Sequence, residues 1–308
     1  MSALLIAVLV GLGALAAAAM AAIRRRPLAL YGWSSRRALT RAGLRRETVI
    51  TRIGAETAWR GGSGPALVLL HGAGDQAGTW SRTVAPFLPT HRVIALDLPG
   101  HGDSDPRSGP LSVGVIVDGV EAALRILLGA DRAVLVGNSL GAWVALLLAL
   151  RHPEMVSRVV LVNGGALRGE RTDITFTPQT REEARKTIGA LMGARAARAP
   201  NFVIDDLIRV CRHGPLGRLS ATADQMDAFV LEGRLHEVRV PVDLLWGDQD
   251  QVFPLGYAAR MIAELPAARM TVLAGCGHTP HRDAPDRFNE ALAELLRRPA
   301  PEVLDAAR

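Results

Sequence analysis

The chain has 308 residues, 49% of them apolar and 21% charged, the balance of a globular protein with a sizeable core and not of a disordered chain. Its net charge of +6 is local: between Arg24 and Arg60 ten arginines stand against only Glu47 and Glu56, so the residues after Arg60 carry a net −2. That distribution argues against a nucleic-acid partner, and two cysteines, Cys211 and Cys276, are too few for a metal framework and read as reduced, structural thiols.

In chain order the first element is the uncharged apolar run from Ala3 to Ile23. As a helix it spans roughly 31 Å, the thickness of a bilayer core. No basic residue precedes it, and Arg24, Arg25 and Arg26 follow it at once. This pattern predicts a retained single-pass anchor over residues 1–23 with the rest of the chain in the cytoplasm. A cleaved signal peptide, giving a secreted or periplasmic product, is the alternative. Residues 24–48 read as a basic juxtamembrane segment, with Tyr31 and Trp33 among the arginines as in an interfacial belt beside anionic lipid.

From Thr48 the pattern changes. "TVITRIGAETAWRGG" predicts a strand hairpin. Six short runs follow at 66–71, 92–97, 132–137, 158–163, 242–247 and 269–275. They are rich in valine and leucine without polar alternation, the signature of parallel strands buried on both faces. Helical patterns lie between them, so the chain is built of repeated βα units. From Gly165 to about His236 no strand pattern occurs, only amphipathic helical pieces. The expected layout is therefore an α/β core over 49–164 and 237–299, with a helical cap over 165–236 inserted after the sixth strand.

Ser139 stands in "VLVGNSLGAW", directly after a buried strand and before an apolar helix, with Gly137 and Gly141 on either side. A strand-to-helix turn of this kind holds a hydroxyl out above the sheet as a nucleophile. Such a nucleophile needs a base, an orienting acid and donors for an oxyanion. The acid candidates are Asp248 and Asp250, after the strand "VDLLWG"; the base candidates are His278 and His281, after "RMTVLAG". Both pairs fall at the carboxyl ends of parallel strands, where sites on open α/β sheets gather. Donors come from the backbone N–H of Ala73, with Gly74 as a further candidate, in the "HGAG" loop, and from Leu140 at its helix start. His71 reads as structural, His101 and Asp103 as turn-shaping, and His281 as solvated. The Asn138 side chain is expected to bond nearby backbone. Phe176, Met192, Phe202 and Met226 are cap candidates for lining an acyl channel. No metal cluster, phosphate loop or dinucleotide turn is placed to work, and no cofactor is expected.

Five stretches in this order, "LLHGAGDQAGTW", "VIALDLPGHGDSD", "VGNSLGAW", "LLWGDQDQVFP" and "GCGHTPHRDAPDRFN", resemble the α/β-hydrolase fold superfamily over roughly residues 49–297. The resemblance selects Asp250 over Asp248 and His278 over His281, giving a Ser139–His278–Asp250 triad. The architecture is most similar to membrane-anchored monoacylglycerol lipases of the α/β-hydrolase-domain group. Carbon–carbon bond hydrolases of aromatic meta-cleavage pathways look nearly as similar and share the Gly-Asn-Ser elbow. The resemblance thus implies a serine hydrolase of carboxylic, lipid-like esters acting without a cofactor. A carbon–carbon hydrolase, an acyltransferase and a non-catalytic binding protein on the same fold are the alternatives. For the carbon–carbon hydrolase, Arg171, Arg181 and Arg185 are the candidates for holding a substrate carboxylate.

Overall fold

The computed structural model describes residues 3–169, 174–265 and 267–299, with the side chains of residues 3–9, 16, 19, 22 and 195 excepted. Among the described residues eight strands form one sheet in the order β1-β2-β4-β3-β5-β6-β7-β8. The hairpin β1 (Arg45–Ile50) and β2 (Ala55–Gly61) is antiparallel and joins β4 antiparallel. β3 (Ala66–Leu70), β4 (Arg92–Leu96), β5 (Ala133–Asn138), β6 (Val156–Val162), β7 (Val242–Gly247) and β8 (Arg269–Leu273) run parallel.

The absence of polar alternation in these strands follows from burial on both faces. Val68 and Leu70 of β3, Leu135 of β5, Leu161 of β6 and Leu244 of β7 enter one core. Leu67, Leu69, Val136, Val160, Val162 and Leu245 alternate with them into a second core on the opposite face. Helices α3 (Val113–Leu128), α4 (Leu140–Arg151) and α9 (Leu255–Glu264) close the first face. Helices α2 (Pro27–Arg41) and α11 (Pro285–Arg297), the latter preceded by the single turn α10 (Pro280–Asp283), close the second with the 3₁₀ turn Ala77–Arg82. A buried ion pair ties α11 to the sheet: Arg158 Nε donates to Asp243 Oδ2 at 2.6 Å, and Arg158 Nη1 donates to Leu295 O at 2.7 Å.

Between β6 and β7 lie α5 (Arg181–Met192), α6 (Ala194–Ala197), α7 (Asn201–His213) and α8 (Pro215–Ser220), then two 3₁₀ turns. Thr180 starts α5 with a reciprocal cap: its hydroxyl accepts the Glu183 N–H, and Glu183 reaches back to the Thr180 N–H. Ala184, Ile188 and Ile204 make a small core of their own between α5 and α7.

The N-terminal expectation is revised in part. The expected juxtamembrane segment is helical and partly packed on the domain: Ser35 and Leu39 of α2 are buried, and β1 begins at Arg45, before the expected core boundary at 49. A 23-residue helix, α1 (Ala3–Arg25), precedes α2. The expected anchor falls largely outside the described side chains. Among the described residues no helix is long and apolar enough to cross a membrane.

Candidate active site

β5 ends at Asn138 and α4 begins at Leu140, leaving Ser139 alone to make the turn at φ 53° and ψ −116°. Few non-glycine residues adopt a positive φ, and a strained residue between strand and helix is the mark of a nucleophile elbow. The flanking glycines are required by approach distances. A Cβ on Gly137 would stand 2.2 Å from Gly141 O, and one on Gly141 would stand 2.3 Å from Leu70 O. Gly164, past the end of β6, backs the turn: a Cβ there would lie 2.4 Å from Ser139 Cα.

The loop after β3 passes beside the serine, since a Cβ on Gly72 would lie 3.2 Å from Ser139 Cβ. This brings Ala73 next to the elbow. The Leu140 N–H, first of α4, is one of the amides that a helix start leaves without an intrahelical carbonyl. Gly74, at φ 75°, is overlaid by the cap: a Cβ there would stand 2.7 Å from Leu216 Cδ1 of α8.

Asp250 follows β7 and is buried. Its Oδ2 accepts from His278 Nδ1 at 3.0 Å and from Asn163 Nδ2 at 2.6 Å. Its Oδ1 accepts the N–H groups of Val252 at 2.8 Å and Phe253 at 3.1 Å. With four donors converging on the Asp250 carboxyl oxygens, His278 donates through Nδ1, and its Nε2 is the acceptor nitrogen. The Phe253 ring lies 5.7 Å from the imidazole. Asp248 is elsewhere, accepting the Gly275 N–H at 2.7 Å. The structure therefore pairs His278 with Asp250 and leaves Asp248 holding the turn after β8.

Two asparagines brace this constellation. Asn138 Nδ2 donates to Val162 O and to His278 O, both at 3.0 Å, so its side chain bonds backbone, as expected. Asn163 was not foreseen. It sits directly after β6 at φ 44°, donating to Asp250 while its Oδ1 accepts the Gly247 N–H at 3.0 Å. The signal available in the sequence is an asparagine at a strand's carboxyl end before two glycines.

The remaining candidates separate. His71 is buried and structural, as expected: Nδ1 donates to Gly72 O at 2.7 Å, Nε2 accepts the Leu98 N–H at 2.9 Å, and burial pushes its pKa down. His101 is also buried, which drives its pKa to about 3, and Nδ1 donates to Pro99 O. Asp103 closes the same turn, its N–H donating to Asp97 Oδ2 at 2.9 Å. His281 contradicts the expected solvated position. It is fully buried, stacks on Trp80 at 4.2 Å and meets Thr79 Oγ1 at 2.9 Å.

Among the cap candidates, Phe176 and Met192 lie on the surface, 41% and 37% exposed, while Phe202 and Met226 are half-buried. Arg181 forms a two-pronged pair with Asp205, and Arg185 donates to Ala197 O and Ala199 O; Arg171 lies outside the described residues. The cap reaches the base loop through Thr279 Oγ1, which donates to Leu191 O at 3.3 Å. A cavity of about 570 Å³ bordered by Gly109, Arg212, His213 and Gln225 is separate: no residue of the constellation lines it. Cys211 and Cys276 are both free and buried. Among the described residues no His, Cys, Asp and Glu cluster could hold a metal ion.

A family model described as "Alpha/beta hydrolase family" matches residues 67–291. An uncharacterized protein of Mycobacterium tuberculosis is 31% identical over 273 residues, covering 80% of this chain and 79% of its own. A 2-hydroxy-6-oxo-6-phenylhexa-2,4-dienoate hydrolase of Burkholderia cepacia is 29% identical over 258 residues, covering 76% of this chain and 88% of its own. A crystal structure of a membrane phospholipase A, described as a bacterial virulence factor, superposes with a TM-score of 0.71 at 27% identity. It covers 94% of this chain and 97% of that one.

Proposed function

We propose that this chain, which belongs to the alpha/beta hydrolase family, is a serine hydrolase of carboxylic esters with an apolar acyl or alkyl chain. The observation that carries this reading is the convergence of three loops. Ser139 stands at φ 53° beside the Ala73 loop, and His278 is bonded to Asp250 at 3.0 Å at the ends of the next strands.

In this reading Ser139 Oγ attacks the ester carbonyl as His278 Nε2 takes its proton. Asp250 holds the imidazole tautomer and stabilises the imidazolium. The N–H groups of Ala73 and Leu140 receive the oxyanion. Collapse of the tetrahedral intermediate breaks the C–O bond, and His278 gives its proton to the leaving alcohol. Water, deprotonated by the same histidine, then releases the acid and restores Ser139.

The lipid-like character of the substrate rests on two supports. One is the likeness to a membrane phospholipase A across 94% of this chain. The other is the apolar stretch 3–23 followed by Arg24, Arg25 and Arg26, read as a single-pass anchor with the catalytic domain on the cytoplasmic side. Likeness to the Burkholderia dienoate hydrolase favours a second reading, carbon–carbon hydrolysis with the same triad. That reaction needs polar or cationic groups in the cap for a carboxylate, and the candidates Arg181 and Arg185 are engaged with Asp205 and with backbone.

A fluorophosphonate probe tests the assignment: it labels the wild type at Ser139 and does not label Ser139→Ala. A Ser139→Ala protein that turns over p-nitrophenyl esters at the wild-type rate overturns it. A screen of acyl chain lengths beside a dienone carboxylate then separates the two readings. Membrane fractionation with protease protection tests the anchor.

A further inference from the structure

Helix α2 packs against the 3₁₀ turn Ala77–Arg82, which directly continues the loop carrying Ala73. The approach is close enough to need glycine, since a Cβ on Gly78 would stand 2.5 Å from Ser35 Oγ. At this crossing lies Gln76, a buried side chain with both ends engaged. Its Nε2 donates to Gly32 O at 3.0 Å and to Ser35 Oγ at 2.8 Å, and its Oε1 accepts from Arg36 Nη1 at 2.9 Å. All three partners belong to α2.

One residue earlier a second connection leaves the same loop. Asp75 Oδ1 accepts the Gln76 N–H at 2.9 Å, while Asp75 Oδ2 accepts from Arg282 Nη1 at 3.3 Å. Arg282 lies four residues after His278, and its Nη2 donates to the Tyr31 hydroxyl at 2.5 Å. The guanidinium also lies over the Tyr31 ring, 5.3 Å from its centroid. A single helix therefore holds the oxyanion loop through Gln76 and the loop of the base through Arg282.

We propose that α2 is a positioning element of the active site, with Gln76 as the residue that sets the place of the Ala73 N–H. The inference rests on the oxyanion role of Ala73 proposed above. Asp97 Oδ1 fixes the far end of the loop by accepting the Ala77 N–H at 2.7 Å, and β3 fixes the near end. Between them His71 holds Gly72 O and Leu216 covers Gly74, while the side chains of Gln76 and Asp75 tie the stretch after Ala73 to α2 and Arg282. Oxyanion donors work only when they meet the developing charge at hydrogen-bond distance, and a displacement of about 1 Å costs on the order of 100-fold in rate. Gln76 thus acts on the reaction through Ala73 and touches no substrate.

The test uses the full-length protein and p-nitrophenyl butyrate, comparing Gln76→Ala, Tyr31→Phe, Arg36→Ala and Arg36→Lys with the wild type. Gln76→Ala is expected to lower kcat about 10- to 100-fold with KM within about twofold. Phosphonylation of Ser139 should slow in parallel, because the phosphonyl oxygen uses the same donors. Arg36→Ala is expected to lower kcat by less, and Arg36→Lys to recover most of that loss. A folded Gln76→Ala protein with unchanged kcat and only a lower Tm overturns the proposal, as does a loss confined to KM. If Gln76→Ala does not fold, the other variants decide. A lowered kcat in Arg36→Ala that Arg36→Lys restores supports it; wild-type kcat in both Tyr31→Phe and Arg36→Ala overturns it. Failure of the underlying reading is distinguishable, since Ser139 would then take no label in the wild type.

Discussion

The side-chain amide of Asn163 donates to Asp250 Oδ2 at 2.6 Å while its own carbonyl accepts the Gly247 N–H at 3.0 Å. Asp250, the acid proposed to orient His278, is thus held in turn from the neighbouring strand. A hydrogen bond to a charged acceptor contributes about 1.5–3 kcal/mol, so its loss at Asp250 corresponds to roughly 10- to 100-fold in rate if carried into the transition state. Asn163 also sits at φ 44°, where alanine is strained and glycine is not. Asn163→Gly therefore separates the loss of the two side-chain hydrogen bonds from the backbone cost. Its kcat/KM is expected to fall within that range, with Asn163→Ala additionally less stable.

Asn138 joins the elbow to the loop of the base. Its Nδ2 supplies a hydrogen to Val162 O and another to His278 O, and it is buried. Removing both leaves His278 O short of a donor, while Val162 O keeps the Ser139 N–H at 3.1 Å; an unpaired neutral carbonyl costs about 1–3 kcal/mol. Asn138→Ala is expected to lower the unfolding free energy in urea by that amount. It should also lower kcat, because His278 loses a backbone restraint beside its imidazole. Asn138→Ala with wild-type stability and kcat would show that neither bond matters.

The strands were legible in the sequence because burial on both faces leaves valine and leucine runs such as "ALVLL" without alternation. The placement of Ser139, Asp250 and His278, the proposed triad, was legible because each follows such a run, and the carboxyl ends of parallel strands are brought to one edge by topology. Two kinds of feature were not. Asn163 acts through a side chain that reaches the next strand's loop, and nothing in its local pattern reports that partner. The segment 24–48 reads as a basic juxtamembrane stretch because its arginines dominate composition, which hides that part of it packs on the domain. Its docking depends on small residues far apart in sequence: Ser35 meets Gly78, and Gly32 meets the Gln76 side chain. His281 was misjudged for the same reason: Trp80, which covers it, is far away in sequence.

His281 gives a stability prediction independent of the triad. Its ring stacks on Trp80 at 4.2 Å, lies 5.9 Å from Phe288 and is fully buried. Deleting a buried ring of this size costs about 2–4 kcal/mol. His281→Ala is expected to lose that amount in chemical unfolding, whereas His281→Phe keeps the stack and loses only the Thr79 contact, about 1 kcal/mol. Burial holds the His281 pKa well below its usual value. The unfolded chain therefore binds a proton below about pH 6.5 that the native state does not, and wild-type stability gains from this group as pH rises toward that value.

Glu56 predicts a slope of the opposite sign. It lies on β2 at 1% exposure, and neither carboxylate oxygen has a hydrogen-bond partner. Ser104, its polar neighbour, is committed elsewhere: its hydroxyl donates to Asp97 O at 2.7 Å and accepts the Thr57 N–H at 2.8 Å. Burial, with Asp105 and Asp97 nearby, raises the Glu56 pKa to about 7. Between its ordinary value of 4.5 and about 7 the native state holds a proton that the unfolded chain has released. Stability from this group is full below that window, falls as pH rises through it and levels off above it, by about 3 kcal/mol at most. Glu56→Gln removes the titration. Its unfolding free energy relative to wild type should therefore rise between about pH 4.5 and pH 8, whatever constant cost the buried amide adds. Urea unfolding across that range measures the difference, and a difference that stays flat with pH would place the Glu56 carboxyl at its ordinary value.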